Sequence, residues 1–465
     1  MDISLIEFLE KNVLVLDGAM GTQIQSSGFR DEDFGGSEFR MLSDLLCFSR
    51  PEEIERIHLA YYRAGAHAVE TNTFGASPFR LLEYNFGGLN TEGFAPNPHN
   101  VDPRLLGYDH FAYYLSRVGA EIACRARETY QADADYDGRP LFVLGSAGPS
   151  NRVVSSTQAD LKTATFDEIA DNFYHQVLGL LDGGVDGLLY ETQQDVLELK
   201  AAVFGGKMAM AERGRNVPVI AQVTVDQHAR MQIFNTDIHA ALVTVQGIGV
   251  DAFGINCSIG PDLMQKAVEK LSRHSPLPIS IIPNAGLPRS ENGRTVFQFP
   301  PDEMARLLSA YVRDYGVNIV GGCCGTTPAH IAAIADAVRG LTPKPRRPDP
   351  GLYVSGPQEA VLLDGSKTLI LIGERLNVRG SQAVRQAVEG GGEIDHHALE
   401  EVVVEQVRDL GVRVIDVCMD SNVVDTTDVL KEVVHRQTTD FSGAMSLDSF
   451  AMDALLEAIK VYPGR

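Results

Sequence analysis

Eight short apolar runs punctuate the first two-thirds of the chain, at residues 13–17, 68–73, 141–145, 187–192, 217–223, 252–257, 279–283 and 317–322. They are rich in β-forming residues and do not alternate with polar ones, which is how strands buried on both faces of a parallel sheet read. Amphipathic stretches with helical spacing lie between most of them, among them 166–181, 195–213, 262–273 and 301–315. Strands and helices alternating in this way predict an α/β fold, a (β/α)8 TIM barrel with insertions. A doubly wound open sheet is the alternative, with fewer strands and a Gly-rich dinucleotide loop after the first. Here the first run leads into Asp17-Gly18-Ala19-Met20-Gly21-Thr22, which is not G-x-G-x-x-G. The Gly- and charge-rich segment 26–43 and the Asn/Gly/Pro-rich segment 85–103 are expected as insertions on the rim where barrel active sites lie.

The pattern changes at 342–350, TPKPRRPDP, whose prolines predict a stiff extended linker. The expected division is a barrel over 1–341, a Pro-rich linker over 342–366 and a second unit over 367–465. That unit begins near Lys367, with strands at 368–373, 412–419 and 444–448 and helices at 397–410, 424–436 and 451–461. Three βα units cannot close a barrel, and an open sheet of that size leaves exposed edges. An incomplete second β/α barrel-like unit is therefore expected, with the remainder downstream or on another polypeptide.

Composition narrows the function. A net charge of -22 over 465 residues argues against nucleic acid or an anionic membrane surface as partner. No apolar run approaches the roughly 18 residues of a membrane span, and the start MDISLIEFLEKN lacks the layout of a signal peptide, so a cytoplasmic address is expected. Six cysteines are too few for a disulfide scaffold. Cys47, Cys124 and Cys418 stand alone and read as small core residues.

The other three cysteines fall in two motifs. Gly254-Ile255-Asn256-Cys257-Ser258 ends the sixth run, and Gly321-Gly322-Cys323-Cys324-Gly325-Thr326-Thr327 ends the eighth. Both lie at carboxyl ends of strands, the functional rim of a parallel barrel. The sixth and eighth strands are two spacings apart, roughly 10 Å, so thiolates reaching inward could share one ion with Zn–S bonds of ~2.3 Å. Neighbouring residues on a strand point to opposite faces, so Cys323 and Cys324 can aim together only if the glycines let the backbone leave strand geometry. Three protein ligands leave a coordination position open, the mark of a catalytic zinc, and an all-thiolate set suits an incoming thiol. Zinc binding by Cys257, Cys323 and Cys324 and alkylation of a thiol follow from this reasoning.

These motifs, with VLDGAMGTQIQ near the start and ETNTFGAS after the second run, resemble the zinc-dependent homocysteine S-methyltransferases over nearly all of 1–340. That family includes cobalamin-dependent methionine synthases, betaine–homocysteine methyltransferases and S-methylmethionine enzymes. The resemblance implies homocysteine sulfur as the fourth zinc ligand. It supports Asp17 and Glu191 as contacts to the amino acid end of the substrate. Asp17 and Glu191 could instead cap the helices that follow them. The turn opened by Gly18 can present N–H donors to a carboxylate. Asn256 is expected to buttress the zinc loop.

In the second unit, Ile372-Gly373-Glu374-Arg375-Leu376-Asn377, Ile415-Asp416-Val417-Cys418 and Ser446-Leu447-Asp448 resemble the first three strands of the pterin-binding domain of methionine synthases. By that resemblance Asn377, Asp416 and Asp448 hydrogen-bond a pterin, although Cys418 stands where the family has Asn. The D-x-H-x-x-G cobalamin signature is missing, since Asp226-Gln227-His228 lacks its glycine.

The resulting expectation is zinc-dependent methyl transfer to homocysteine, giving methionine. The implied donor is methylcobalamin recharged from 5-methyltetrahydrofolate, with cobalamin on a partner protein or on downstream domains. The alternatives are an enzyme using betaine or S-methylmethionine, and a non-catalytic zinc- or thiol-binding module.

Overall fold

The computed structural model describes residues 3–96, 98–158, 160–291, 294–349, 351–364 and 369–465. Lys367 and Thr368, where the second unit was expected to begin, lie outside them. Eight parallel strands build the first unit: β1 Leu14–Val15, β2 Ala68–Glu70, β3 Phe142–Ala147, β4 Gly187–Gln193, β5 Val219–Val223, β6 Ala252–Asn256, β7 Ile279–Ile282 and β8 Ile319–Val320. Their order is β1-β8-β7-β6-β5-β4-β3-β2, and a parallel bridge between Leu16 and Ala68 joins the two ends into a barrel. Each strand coincides with one of the eight apolar runs, β3 and β4 extending past theirs to Ala147 and Gln193.

Both faces of these strands are buried, in two different environments. Leu14, Leu16, Ala68, Leu144, Leu189, Ile220, Ala252, Ile282 and Ile319 form one cluster that fills the barrel. Val15, Val69, Val143, Val219, Phe253 and Ile281 face the other way, against the surrounding helices. This two-sided burial is why the runs do not alternate. The expected helices are present as Phe166–Asp182, Val196–Arg213, Gln265–His274 and Pro301–Ala310, the last continuing as a π turn over Tyr311–Tyr315. No described helix is long and apolar enough to cross a membrane.

Segment 26–43 is more ordered than a plain loop, with 3-10 turns at Asp31–Phe34 and Ser37–Phe39. A hairpin of Arg289–Glu291 and Arg294–Val296, which the sequence pattern did not suggest, follows β7.

Residues 342–349 carry no helix or strand. Within the stretch read as linker, Tyr353–Ser355 and Ala360–Leu362 form an antiparallel hairpin, because β-forming triplets flank the turn at Gly356-Pro357. The second unit is a parallel sheet of β9 Ile372–Asn377, β10 Val414–Cys418 and β11 Ala444–Asp448 in that order. Its first strand lies later than 368–373. Pairing starts at Ile372 with Val414 and shifts register before Leu376 meets Val417, and an unalternating apolar run cannot report where such pairing begins.

The two units touch. Lys200, buried on helix Val196–Arg213, donates to the carbonyls of Tyr462 (2.6 Å) and Gly464 (3.2 Å). The Tyr462 hydroxyl donates to the Ser355 carbonyl in turn.

Candidate functional site

Cys257 and Cys323 reach the same point because β7 lies between their strands. The Cys257 N–H donates to the Ile282 carbonyl at 3.0 Å, and the Cys323 N–H donates to that of Pro283 at 2.8 Å. The loop after β7 adds a third tie, from the Ala285 N–H to the Cys324 carbonyl at 2.9 Å. Cys257 and Ser258 have φ of 60° and 62°, a left-handed turn that costs a side-chain-bearing residue about 1–3 kcal/mol. Gly325, at φ +81°, has its α-carbon against Phe297, where a β-carbon would stand 2.3 Å away. A glycine is required there, directly after the cysteine pair.

The three sulfurs converge within 4.8 Å of one another. Cys257 Sγ lies 3.8 Å from Cys324 Sγ, and Cys323 Sγ lies 4.0 Å from Cys324 Sγ. Thiolates on a tetrahedral zinc with bonds of ~2.3 Å stand about 3.8 Å apart, so the spacing fits that ion. The cysteines are free thiols, at separations far above a disulfide bond. Hydrogen bonds from Cys323 and Cys324 push the Cys257 thiol down to about 3, and the same contacts with Cys257 push Cys324 up to about 12 and hold Cys323 well above the usual thiol range. Such a trio is poised to exchange its remaining protons for a cation. Asn284, hydrogen-bonded to Cys257 through its side chain, keeps its Oδ1 buried without a partner, a further donor suited to a cation.

A cavity of about 430 Å³ opens beside the sulfurs, bordered by Asp17, Gly18, Glu70, Ser146, Glu191, Thr192, Phe74 and Phe297 together with all three cysteines. Asp17 and Glu191 are 2 % and 7 % exposed. Glu191 accepts a short hydrogen bond from the Ser146 hydroxyl. Burial pushes its carboxyl up to about 7, against that hydrogen bond and helped by the negative charge of Cys257. Asp17 and Glu70 are held well above the usual carboxylate range, first by burial and then by neighbouring acids. Gly18 packs on Thr326 and Tyr61 so closely that a β-carbon would lie 2.8 Å from the Thr326 hydroxyl. That hydroxyl accepts the Ala19 N–H and donates to the Cys323 carbonyl, tying the turn after β1 to the cysteine loop.

Asn256 is fully engaged. Its Oδ1 accepts the Thr192 N–H at 2.8 Å, and its Nδ2 donates to Thr192 Oγ1 at 2.8 Å and to Glu191 Oε2 at 3.3 Å. Thr192, at φ 58°, is held in a strained turn by these bonds.

Asp17, Gly18, Glu191, Asn256 and the three cysteines thus share one mouth of the barrel. Glu70, Ser146, Thr192, Asn284, Phe297 and Thr326 belong to the same place and were not among the expected contacts. Glu70 lies two residues along β2 from the inward Ala68 and therefore faces inward with it, a parity set by strand pairing rather than by any motif. The others lie in loops or carry no motif. His330 serves structure: with Thr327 it caps helix Pro328–Val338, and its Nε2 lies 2.9 Å from the Phe299 carbonyl.

In the second unit, Asn377, Cys418 and Asp448 form one row across β9, β10 and β11, and Asp416 faces the same way beside Ser446. Asn377 already uses its Oδ1 to accept the N–H groups of Arg379 and Gly380, each at 2.9 Å. Burial raises the Asp416 carboxyl, with Asp448 and Glu374 adding to it and a hydrogen bond from Ser446 opposing it.

Residues 14–338 match the family model for homocysteine S-methyltransferase. The chain is 35% identical over 464 residues to methionine synthase of Mycobacterium tuberculosis (strain ATCC 25618 / H37Rv). It is 33% identical over 471 residues to methionine synthase of Mycobacterium leprae (strain TN). Each alignment covers 100% of this chain and 36% of the relative, so the chain spans about a third of the length of those proteins. Among solved structures, the metallated form of the Escherichia coli homocysteine methyltransferase MmuM is similar, with 26% identity and a TM-score of 0.53 over 71% of this chain and 98% of that one.

Proposed function

The chain belongs to the homocysteine S-methyltransferase family, and from that premise we propose that it methylates the thiol of homocysteine at a zinc ion held by Cys257, Cys323 and Cys324. The observation that carries this reading is the meeting of three sulfurs from two strand ends on the wall of an acid-lined cavity. Zinc at that point would act as a Lewis acid that keeps a substrate thiol ionised near neutral pH.

The remaining work falls to this chain's own residues. Glu191, whose ionised form the incoming charge favours, takes the substrate ammonium with Asp17 close by. The turn beginning at Gly18 offers backbone N–H groups to the substrate carboxylate. Asn256 fixes Glu191 and Thr192 relative to Cys257, so the ammonium and thiol ends of one molecule are held at a set distance. Phe74 and Phe297 border the mouth and reduce the water around the reacting sulfur.

The methyl donor in this proposal is methylcobalamin, recharged from 5-methyltetrahydrofolate. Identity of 33–35% to two methionine synthases across the whole chain supports it, as does the face of the second sheet that carries Asn377, Asp416 and Asp448 and would meet a pterin. Cobalamin would be brought by a partner protein or by domains beyond this chain. Purified, zinc-loaded chain supplied in turn with methylcobalamin, betaine and S-methylmethionine tests the choice. Methionine is expected from methylcobalamin, and formation from betaine or S-methylmethionine alone would overturn it.

A further inference from the structure

The proposed substrate brings one positive and one negative charge into the cavity, and the cavity is poorly matched to that pair. Three carboxyls border it, from Asp17, Glu70 and Glu191, and among the described residues around it there is no lysine, arginine or histidine. One ammonium can compensate one buried carboxylate. Full ionisation would leave two more beside a thiolate centre, at an electrostatic cost that proteins avoid by keeping a proton. The substrate carboxylate, for its part, meets no cation and must be held by neutral donors. A protonated carboxyl is such a donor.

The geometry singles out which acid plays that part. Glu191 is committed elsewhere, accepting from Ser146 and Asn256, both of which favour its charged form. Asp17 and Glu70 sit side by side at the ends of neighbouring strands, with the Glu70 N–H donating to Asp17 Oδ2 at 3.1 Å. Asp17 is 2 % exposed, and its Oδ1 is buried without a partner on the cavity wall, an oxygen that awaits a ligand or a shared proton. Glu70 is two residues beyond the inward-packed Ala68, so it enters the barrel mouth from the side next to the Gly18 turn.

We propose that Glu70 is a further specificity-determining residue: its carboxyl stays protonated beside Asp17 and donates its O–H to the carboxylate of an amino-acid thiol, in place of the basic side chain that this cavity lacks. The proposal rests on the homocysteine reading above and deepens it. It makes the site selective for a thiol carrying both ends of an amino acid. Burial and the charges of Glu191 and Asp17 act together to hold the proton on Glu70.

Calorimetric titration of the zinc-loaded full chain with two thiols tests it. The probes are homocysteine and 3-aminopropane-1-thiol, which is homocysteine without its carboxylate. Glu70→Ala should weaken homocysteine binding by about tenfold or more, the loss of a hydrogen bond to a charged group. Glu70→Gln, whose amide N–H can donate in the same place, should stay within about threefold of the parent. Neither substitution should change the affinity for 3-aminopropane-1-thiol by more than about twofold, which also shows that each variant is folded with its metal site intact. Equal damage from Gln and Ala would overturn the proposal by showing that an ionised acid is needed. Equal losses for the two thiols would overturn it by placing Glu70 away from the carboxylate. A parent chain that binds neither thiol would reject the homocysteine reading itself, a result distinct from both.

Discussion

Asn256 and Glu191 meet across the barrel mouth, Nδ2 to Oε2 at 3.3 Å, one residue before Cys257. The contact joins the end of β6, which carries a sulfur, to the end of β4, which carries the acid for the ammonium. Replacing Asn256 by Ala frees the Thr192 N–H and removes the brace from a left-handed turn at 257–258. Zinc affinity should drop about 10–100-fold, as for other outer supports of metal ligands. The KM for homocysteine should rise more than kcat falls. Competition with a chromophoric chelator reads the first effect and steady-state kinetics the second. Unchanged zinc affinity would show that Asn256 is only filling space.

The three-sulfur centre sets a second expectation. The chain should bind one equivalent of zinc, and Cys324→Ser should lose most of it, while Cys124→Ser, outside the site, should retain it. Chelation should lower methionine formation by about 10³-fold, corresponding to several kcal/mol of Lewis-acid stabilisation, and added zinc should restore it. X-ray absorption should show the sulfur count around zinc rising by one when homocysteine is added. A first shell that does not change would favour a closed, non-catalytic metal module.

Much of this centre is legible in the sequence. Unalternating runs mark strands buried on two sides, and the glycines that flank the 323–324 pair mark a strand end where the backbone turns. Registration was not legible. Whether Val69 or Glu70 enters the barrel depends on which of β2's faces packs with Leu14 and Leu16, and that is set by pairing between distant segments. The carbonyls of Ile282 and Pro283 that hold both cysteine loops have no side-chain signature at all. In the second unit the same blindness displaced the first strand, because an irregularity between Gly373 and Leu376 resets its pairing.

Glu198 gives a pH dependence with a definite sign. Its carboxyl accepts the N–H and hydroxyl of Ser150 at 2.7 and 2.6 Å, yet burial pushes it up to about 7 from its ordinary 4.5. Between those values the folded chain keeps a proton that the unfolded chain has lost. The associated stability is therefore complete below about 4.5 and is lost as pH rises through about 7, up to about 3 kcal/mol. Glu191 is shifted the same way and adds to the decline. Glu198→Gln cannot ionise and should become the more stable protein at pH 8, with its advantage shrinking toward pH 5. Denaturant curves at several pH values check this, and parallel behaviour of the two proteins would refute it.

Lys200 supports the last prediction, about how the two units hold together. Its buried ammonium faces the carbonyls of Ile459 (3.5 Å), Tyr462 (2.6 Å) and Gly464 (3.2 Å), just past helix Met452–Ile459, where the helix dipole is negative. Burial pushes this lysine down to about 8, so docking has been built around a costly group that must stay paired. Lys200→Met keeps the apolar stem but strands those carbonyls, a loss of about 2–4 kcal/mol. The effect should fall on the interface rather than on the barrel. Protease should then cut the 342–349 segment many times faster than in the parent. The first unit should keep its melting temperature, and its zinc content should be unchanged. If the Met variant resisted protease like the parent, the remaining contacts between the units, Lys460 with Asp167 and Thr439 with Thr157, would be sufficient for docking and Lys200 dispensable.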